Sequence, residues 1–438
     1  MIITKQKKNA GNRHILVIPS EEFQPPESHQ AGIFQLHQCL ALKNAGYQVG
    51  VISIKLEYSL PMLLKEIVFR LVGKPARKKL ATYRLLDLPL LLYNKLFRPA
   101  RFISKEVVHG IPTLRIAGFY HGRPNERTDY KRWVHAGLKA YQAYVDLHGK
   151  PDLIHAHNSN PAGILAQRLS DTHNIPFVLT EHSSYFHRRL IPPSLITPLR
   201  KVLDNASVVG VVSPRLAEDL QEHVGLPADR CQWMPNVIDP EFTEATSAAI
   251  APSDTFHLLS IGDLIPLKAH AELIEAFHFS MRGNNAHLII AGDGPEDHSL
   301  QRRILDLGLG KQIKLVGRLG RRAVRDAIDR CDCLVLPSHY ETFGVVLIEA
   351  LVRGKPVIAA DCGGPSCIVN KQNGILFPPK NISALAKALD HMSRFHDIYD
   401  SDAIRRDAIE RFGQKRLVSD LTSAYAKAFD HSNHLKAA

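Results

Sequence analysis

The sequence predicts an α/β protein made of two Rossmann-like domains, and three observations carry that expectation. Short apolar, β-rich runs ending in polar or glycine-containing loops alternate with segments of helical periodicity, the rhythm of a parallel sheet covered by helices. The runs form two sets: HILVIPS, QVGVISI, DLIHAHN, PFVLTEH and VVGVVSP in the first half, then FHLLSIGD, AHLIIAGDG, IKLVGR, CLVLPS, PVIAAD and GILFP in the second. At 438 residues, 45% of them hydrophobic, the chain is too long for one ordinary domain and rich enough to bury two cores.

In chain order, the first set of strands predicts an N-terminal domain over 1–240. Within it, 57–101 breaks the rhythm: Leu, Ile and Phe mix with ten basic residues, among them Lys65, Arg70, Lys78 and Arg98, as in a basic amphipathic insertion. Such a segment suits an anionic membrane surface, and equally suits helices packed on the domain with a solvated basic face. Residues 241–255 are small and polar without periodicity and are expected to be a linker. The second domain is expected over 256–400, and the spacing of Ile404, Ala408, Phe412, Val418, Leu421, Tyr425 and Phe429 predicts helices over 401–438, returning towards the N-terminal domain.

Charge and cysteines narrow the function classes. The 55 Lys and Arg against 43 Asp and Glu give a net charge of +12, so an anionic partner is expected: nucleic acid, a phosphorylated small molecule or an acidic membrane. The cysteines, at 39, 231, 331, 333, 362 and 367, lack paired CxxC spacing, which argues for reduced thiols in a cytoplasmic protein rather than zinc or redox chemistry. No signal peptide is expected from MIITKQKKNAGNRHILVIPS, and no run of about 18 apolar residues predicts a membrane span. No Gly-x-Gly-x-x-Gly follows the first strand, which argues against a dinucleotide oxidoreductase.

Open α/β sheets bind ligands at the carboxyl ends of their strands, and the second half places candidate loops there in succession. Gly262 precedes Lys268, Gly292 and Gly294 flank Asp293, Gly317 precedes Arg318, and Pro337-Ser338 leads to Glu341. In HYETFGVVLIEALVRG, the amides of Phe343, Gly344 and Val345 fall at the predicted start of a helix, where unpaired N–H groups and the dipole favour a diphosphate. Glu349 sits inside the apolar stretch from Val345 to Leu351, an unexpected place for a merely solvated carboxylate. In the first half, His155 and His157 share one face of a strand, with no third ligand evident for a metal; His157 is expected to line the acceptor side.

These motifs carry a resemblance. SHYETFGVVLIEALVRGKPVIAADCGGP resembles the signature of the family-4 nucleotide-sugar glycosyltransferases, retaining enzymes marked by two glutamates separated by seven residues. QAGIFQLHQCLALKNAGYQV, PDLIHAH, PFVLTEHSSYF, PNVIDPEF, SIGDLIPLKAHAELIEAF and AGDGP extend the likeness over most of the chain; the basic 57–101 segment falls outside it.

The resemblance implies a GT-B fold, two Rossmann-like domains facing across a cleft, and transfer of a sugar from a nucleotide diphosphate donor to a glycan or lipid-linked acceptor. It implies that Glu341 contacts the sugar, that the amides of Phe343, Gly344 and Val345 hold sugar and diphosphate, and that Glu349 binds the ribose. Lys268 would neutralise the leaving diphosphate, Arg318 and Leu319 would lie near the base, His182 would face the reacting centre, and Gly32 would lie near diphosphate and acceptor. No carboxylate pair is placed for magnesium, so neither a metal nor any other cofactor is expected, and no nucleic acid partner. A sugar-nucleotide epimerase or hydrolase and a non-catalytic nucleotide-sugar-binding protein remain the alternatives. Three positions depart from the pattern: Asp263 stands where an arginine is common, Cys367 where a glutamate is usual, and Asn236-Val237-Ile238-Asp239 replaces Asn-Gly-Val-Asp. The first removes an expected phosphate contact, the second leaves a core thiol, and the third changes only a turn.

Overall fold

The computed structural model describes residues 13–25, 32–58, 103–120, 126–244 and 254–437, together with 61, 64, 67 and 68. The amphipathic insertion at 57–101 and the linker at 241–255 therefore lie largely outside the described residues. Two sheets carry the fold, of eight and six strands. The chain divides into two compact units, unit 1 (1–210, 220–232 and 421–438) and unit 2 (211–219 and 233–420).

Unit 1 starts with β1 (His14–Pro19), whose six residues are all buried, and α1 (Ile33–Asn44). The elements β2 (Gln48–Tyr58), β3 (Ile103–Val108), β4 (Ile111–Tyr120) and α2 (Glu126–His148) follow. Then come β5 (Leu153–His157), α3 (Ile164–His173), β6 (Phe177–Glu181), α4 (Pro193–Asn205), β7 (Val208–Val211), α5 (Pro214–Val224), whose residues up to Asp219 belong to unit 2, and β8 (Cys231–Trp233). The sheet order is β3-β4-β2-β1-β5-β6-β7-β8, so the winding reverses between β1 and β5.

One feature departs from the expected parallel sheet: β3 is an antiparallel edge strand joined to β4 by a hairpin. His109 and Gly110, at φ 49° and 76°, form its two-residue loop, and paired positive φ values match the right-handed twist of the flanking strands. β4 then returns to parallel pairing with β2.

Unit 2 comprises β9 (Phe256–Ile261), α6 (His270–Met281), β10 (Ala286–Ala291), α7 (Asp297–Asp306), β11 (Ile313–Leu315) and α8 (Arg321–Arg330). It continues with β12 (Cys333–Leu336), α9 (Val345–Val352), β13 (Val357–Ala360), β14 (Gly374–Phe377), α10 (Ile382–Phe395) and α11 (Ser401–Phe412). The final helix α12 (Gln414–Ala437) begins in unit 2 and ends in unit 1. The order is β11-β10-β9-β12-β13-β14, with its reversal between β9 and β12. β12 and β13 are buried at every position, as central parallel strands covered on both faces must be. Leu258, Ile274, Phe277, Leu288, Val335, Leu389 and Met392 pack one core between this sheet, α6 and α10. Among the described residues, no helix is long and apolar enough to cross a membrane.

Candidate active site

The predicted site residues fall into two sets, one at the carboxyl end of each sheet, beside the strand-order reversal where doubly wound sheets open a crevice.

In unit 2, the loops leaving β9 and β12 meet. Lys268 Nζ donates to Glu341 Oε1 at 2.5 Å, and Ser338 Oγ donates to the same oxygen at 2.8 Å. The main chain fixes both partners: His339 N–H donates to Leu267 O at 2.9 Å, and Gly364 N–H to Glu341 O at 2.8 Å. An ammonium has three donors, so a lysine spending one on Glu341 keeps two for ligand oxygens. Gly344 caps α9 in the left-handed region at φ 98°, ψ 60°, a conformation that costs a residue with a Cβ. Phe343, 1% exposed, anchors this loop edge-on against Phe412, and Val345 is half-buried.

The glycines of the neighbouring loops are steric necessities. A Cβ on Gly292 would stand 1.9 Å from Gly262 O, and one on Gly294 would stand 2.4 Å from Leu264 O. Beside them, Arg318 answers the Asp263 substitution. It is ion-paired to Asp263 Oδ1 at 3.0 Å, and its Nε donates to Asp293 Oδ1 at 2.9 Å. The hydrogen bond from Arg318 holds the Asp293 carboxyl below its ordinary value. Leu319 follows half-buried.

Glu349 lies at the buried face of α9, only 4% exposed. Burial pushes its carboxyl above the ordinary value, and the adjacent Arg321 guanidinium opposes that push. Arg321 was not legible as a site residue; its Nη1 donates to Glu349 Oε1 at 2.8 Å and its Nη2 to Asp239 Oδ2 at 2.5 Å.

In unit 1, three imidazoles form a column. His155 and His157 stack with centroids 4.7 Å apart, and His157 and His182 at 5.2 Å, with His157 Nδ1 and His182 Nε2 sharing a hydrogen bond of 3.0 Å. Burial, with charge repulsion inside the column, pushes His155 down to about 3 and His157 well below its ordinary value, so both stay neutral at pH 7. Behind the column, the fully buried Glu181 carboxylate gathers two loops. Its Oε2 accepts from Ser159 N–H and Oγ at 2.8 and 2.7 Å, and its Oε1 from Ser183 and His182 N–H at 2.9 and 3.2 Å. Read in sequence only as the end of a strand, Glu181 sets the backbone that carries His182. Gly32 caps α1 in the left-handed region at φ 71°. No group of three or more His, Cys, Asp or Glu suited to a metal occurs among the described residues.

Family models match these two halves in series. "Glycosyltransferase Family 4" spans residues 105–242 and "Glycosyl transferases group 1" spans 242–400. On this two-sheet architecture, those matches make the chain a glycosyltransferase of the GT-B fold, an EC 2.4 enzyme. Among its relatives, it is 28% identical over 418 residues to the Bacillus subtilis protein TuaC, assigned as a glycosyltransferase of teichuronic acid biosynthesis, covering 93% of this chain and 92% of TuaC. Its fold resembles sucrose-phosphate synthase from Thermosynechococcus elongatus, with TM-score 0.69, 19% identity and coverage of 96% and 100% of the two chains. It also resembles HepE of Anabaena, solved with UDP and glucose, with TM-score 0.64, 18% identity and coverage of 94% and 99%.

Proposed function

We propose that the protein transfers a sugar, with retention of configuration, from a nucleotide diphosphate donor to a glycan or lipid-linked acceptor in cell-surface polysaccharide assembly. The observation that carries this reading is the Lys268–Glu341 pair at the β9/β12 reversal, with Glu341 four residues before Val345, where α9 begins. A cation and a helix terminus together suit a departing diphosphate, and fixed charges aimed at a leaving group are often the largest catalytic term. In this reading, unit 2 binds the donor. Glu341 accepts from sugar hydroxyls, the amides at Phe343 to Val345 hold the diphosphate with Lys268, Glu349 takes the ribose, and Arg318 and Leu319 border the base.

His182 takes the proton of the incoming hydroxyl as the glycosidic bond forms and the bond to the diphosphate breaks, and His157 beside it lines the acceptor side. The UDP-bound neighbour HepE and the teichuronic acid assignment of TuaC support a nucleotide-sugar donor and a surface-polymer acceptor. Lys268 and α9 supply positive charge without a divalent metal, so activity should persist in excess chelator. An anionic membrane surface would bind through 57–101, with the protein acting at the cytoplasmic face.

A panel of nucleotide sugars read by thermal stabilisation tests the donor assignment, since a donor at 100 times its Kd adds about 2.7 kcal/mol. Stabilisation by one member, with acceptor-dependent release of its nucleoside diphosphate, is expected. No stabilisation by any member would remove the reading, and equal release without acceptor would favour a hydrolase.

A further inference from the structure

Arg321 opens α8 and is held from three directions. Nη1 donates to Glu349 Oε1 at 2.8 Å, Nε and Nη2 converge on Asp239 Oδ2 at 3.1 and 2.5 Å, and the guanidinium carbon lies 4.6 Å from the centre of the Phe242 ring. Asp239 is itself fixed, because its Oδ1 accepts from Glu241 N–H at 2.9 Å and caps the Pro240–Phe242 turn. The arginine therefore ties a turn after β8, the start of α8 and the middle of α9 into one strut. It occupies Oε1 of Glu349 and leaves Oε2 for a ligand. A planar fork reaching two carboxylates while lying on an aromatic face is a task that lysine's point charge performs poorly.

We propose that Arg321 is a positioning residue of the donor site: it holds the Glu349 carboxylate as an oriented anion, so that Oε2 accepts the ribose hydroxyls of the nucleotide. The inference rests on the donor reading of unit 2 and adds a residue to it. Its physical basis is the burial of Glu349 in an apolar helix, where an isolated carboxylate takes up a proton instead of staying charged. The charged groups facing Glu349 are Arg321 from α8 and Asp239 from the turn, the latter adding to the penalty. The nearby Arg325 and Arg353 are committed to Glu244 and Asp329 at 2.9 and 2.6 Å, so neither substitutes for Arg321. Without the guanidinium, Glu349 stays protonated up to a higher pH than in the wild type, and the ribose loses a charged acceptor.

The experiment is calorimetric titration of the full chain with uridine, adenosine, guanosine and thymidine diphosphates from pH 5.5 to 8.5, using wild type, Arg321→Met and Arg321→Lys. The ratio of variant to wild-type Kd cancels the nucleotide's own phosphate titration. For the nucleotide that binds, Arg321→Met is expected to raise Kd by about 10-fold or more at pH 6, with the ratio shrinking as pH rises. In an Arg321→Met, Glu349→Gln background, that pH dependence should vanish. A ratio near one, or a raised ratio that ignores pH, overturns the proposal while leaving the donor reading intact. A wild type that binds none of the four removes the donor reading, and this inference with it. Should Arg321→Met fail to fold, Arg321→Lys decides: it keeps a charge but not the fork that reaches both carboxylates, and is expected to weaken binding several-fold; unchanged binding overturns the proposal.

Discussion

Acidification should open unit 1 through His155, and the size of the effect follows from its surroundings. His155 is completely buried. Its Nδ1 lies 2.9 Å from Gln38 Nε2 and 2.8 Å from Tyr425 Oη, its Nε2 lies 2.8 Å from Thr180 Oγ1, and its face is covered by His157. With Gln38 donating to Nδ1, Nε2–H donates to Thr180, and a second ring proton would point at an amide donor. Burial then pushes the imidazole down to about 3. An unfolded histidine titrates near ~6.5. Below that pH the unfolded chain binds the proton that the folded chain refuses, so stability falls as pH falls from ~6.5 towards the folded value, and is fully present above ~6.5.

Between pH 7 and 5 this one ring costs about 2 kcal/mol by proton linkage. Native-state hydrogen exchange of the β5 and β6 amides reads that loss locally, without requiring two-state unfolding of the whole chain. Wild type should lose about 2 kcal/mol more opening free energy over this range than His155→Gln, which cannot take up a proton. Equal pH slopes for the two proteins would refute the buried-neutral assignment, and with it the rigid column behind His157 and His182.

Two further outcomes test the geometry of the loops. Gly292→Ala would drive a Cβ to within 1.9 Å of the Gly262 carbonyl oxygen, whereas a Cβ on Gly317, at φ 72°, meets nothing within 4 Å. The first substitution should cost about 1–3 kcal/mol and abolish nucleotide binding, the second about 1–2 kcal/mol of backbone strain with binding retained, as melting curves and calorimetry would show. Equal loss of nucleotide binding in the two variants would contradict the packed-glycine account. Glu181→Gln places an amide NH₂ against converging donors, and should cost about 1–3 kcal/mol and lower turnover with little change in nucleotide Kd. Unaltered turnover would separate Glu181 from His182.

Much of this architecture was readable because period and punctuation agree: each central strand is a short apolar run stopped by a polar or glycine-bearing loop. The Lys268 and Glu341 loops were legible for the same reason, since strand ends are where ligands bind. The β3–β4 hairpin was not among the expected strands, although its signal stands in the sequence, His109-Gly110 between two β-rich runs. Arg321 and Glu181 were invisible for a different reason. Their partners lie at positions 239 and 349, and at 159, 182 and 183, and only the folded chain brings these together. Asp263 was legible as a lost phosphate contact, but its pairing with Arg318, 55 residues away, was not.

The central claim divides two glutamates by role, and one paired measurement tests it: acceptor-dependent release of nucleoside diphosphate, with a membrane lipid extract as acceptor pool, alongside calorimetric Kd for that nucleotide. Glu341→Ala should lower turnover by ~10²-fold or more with Kd nearly unchanged, and Glu349→Ala should chiefly raise Kd. A Glu341→Ala protein that is folded and turns over at the wild-type rate would contradict the account.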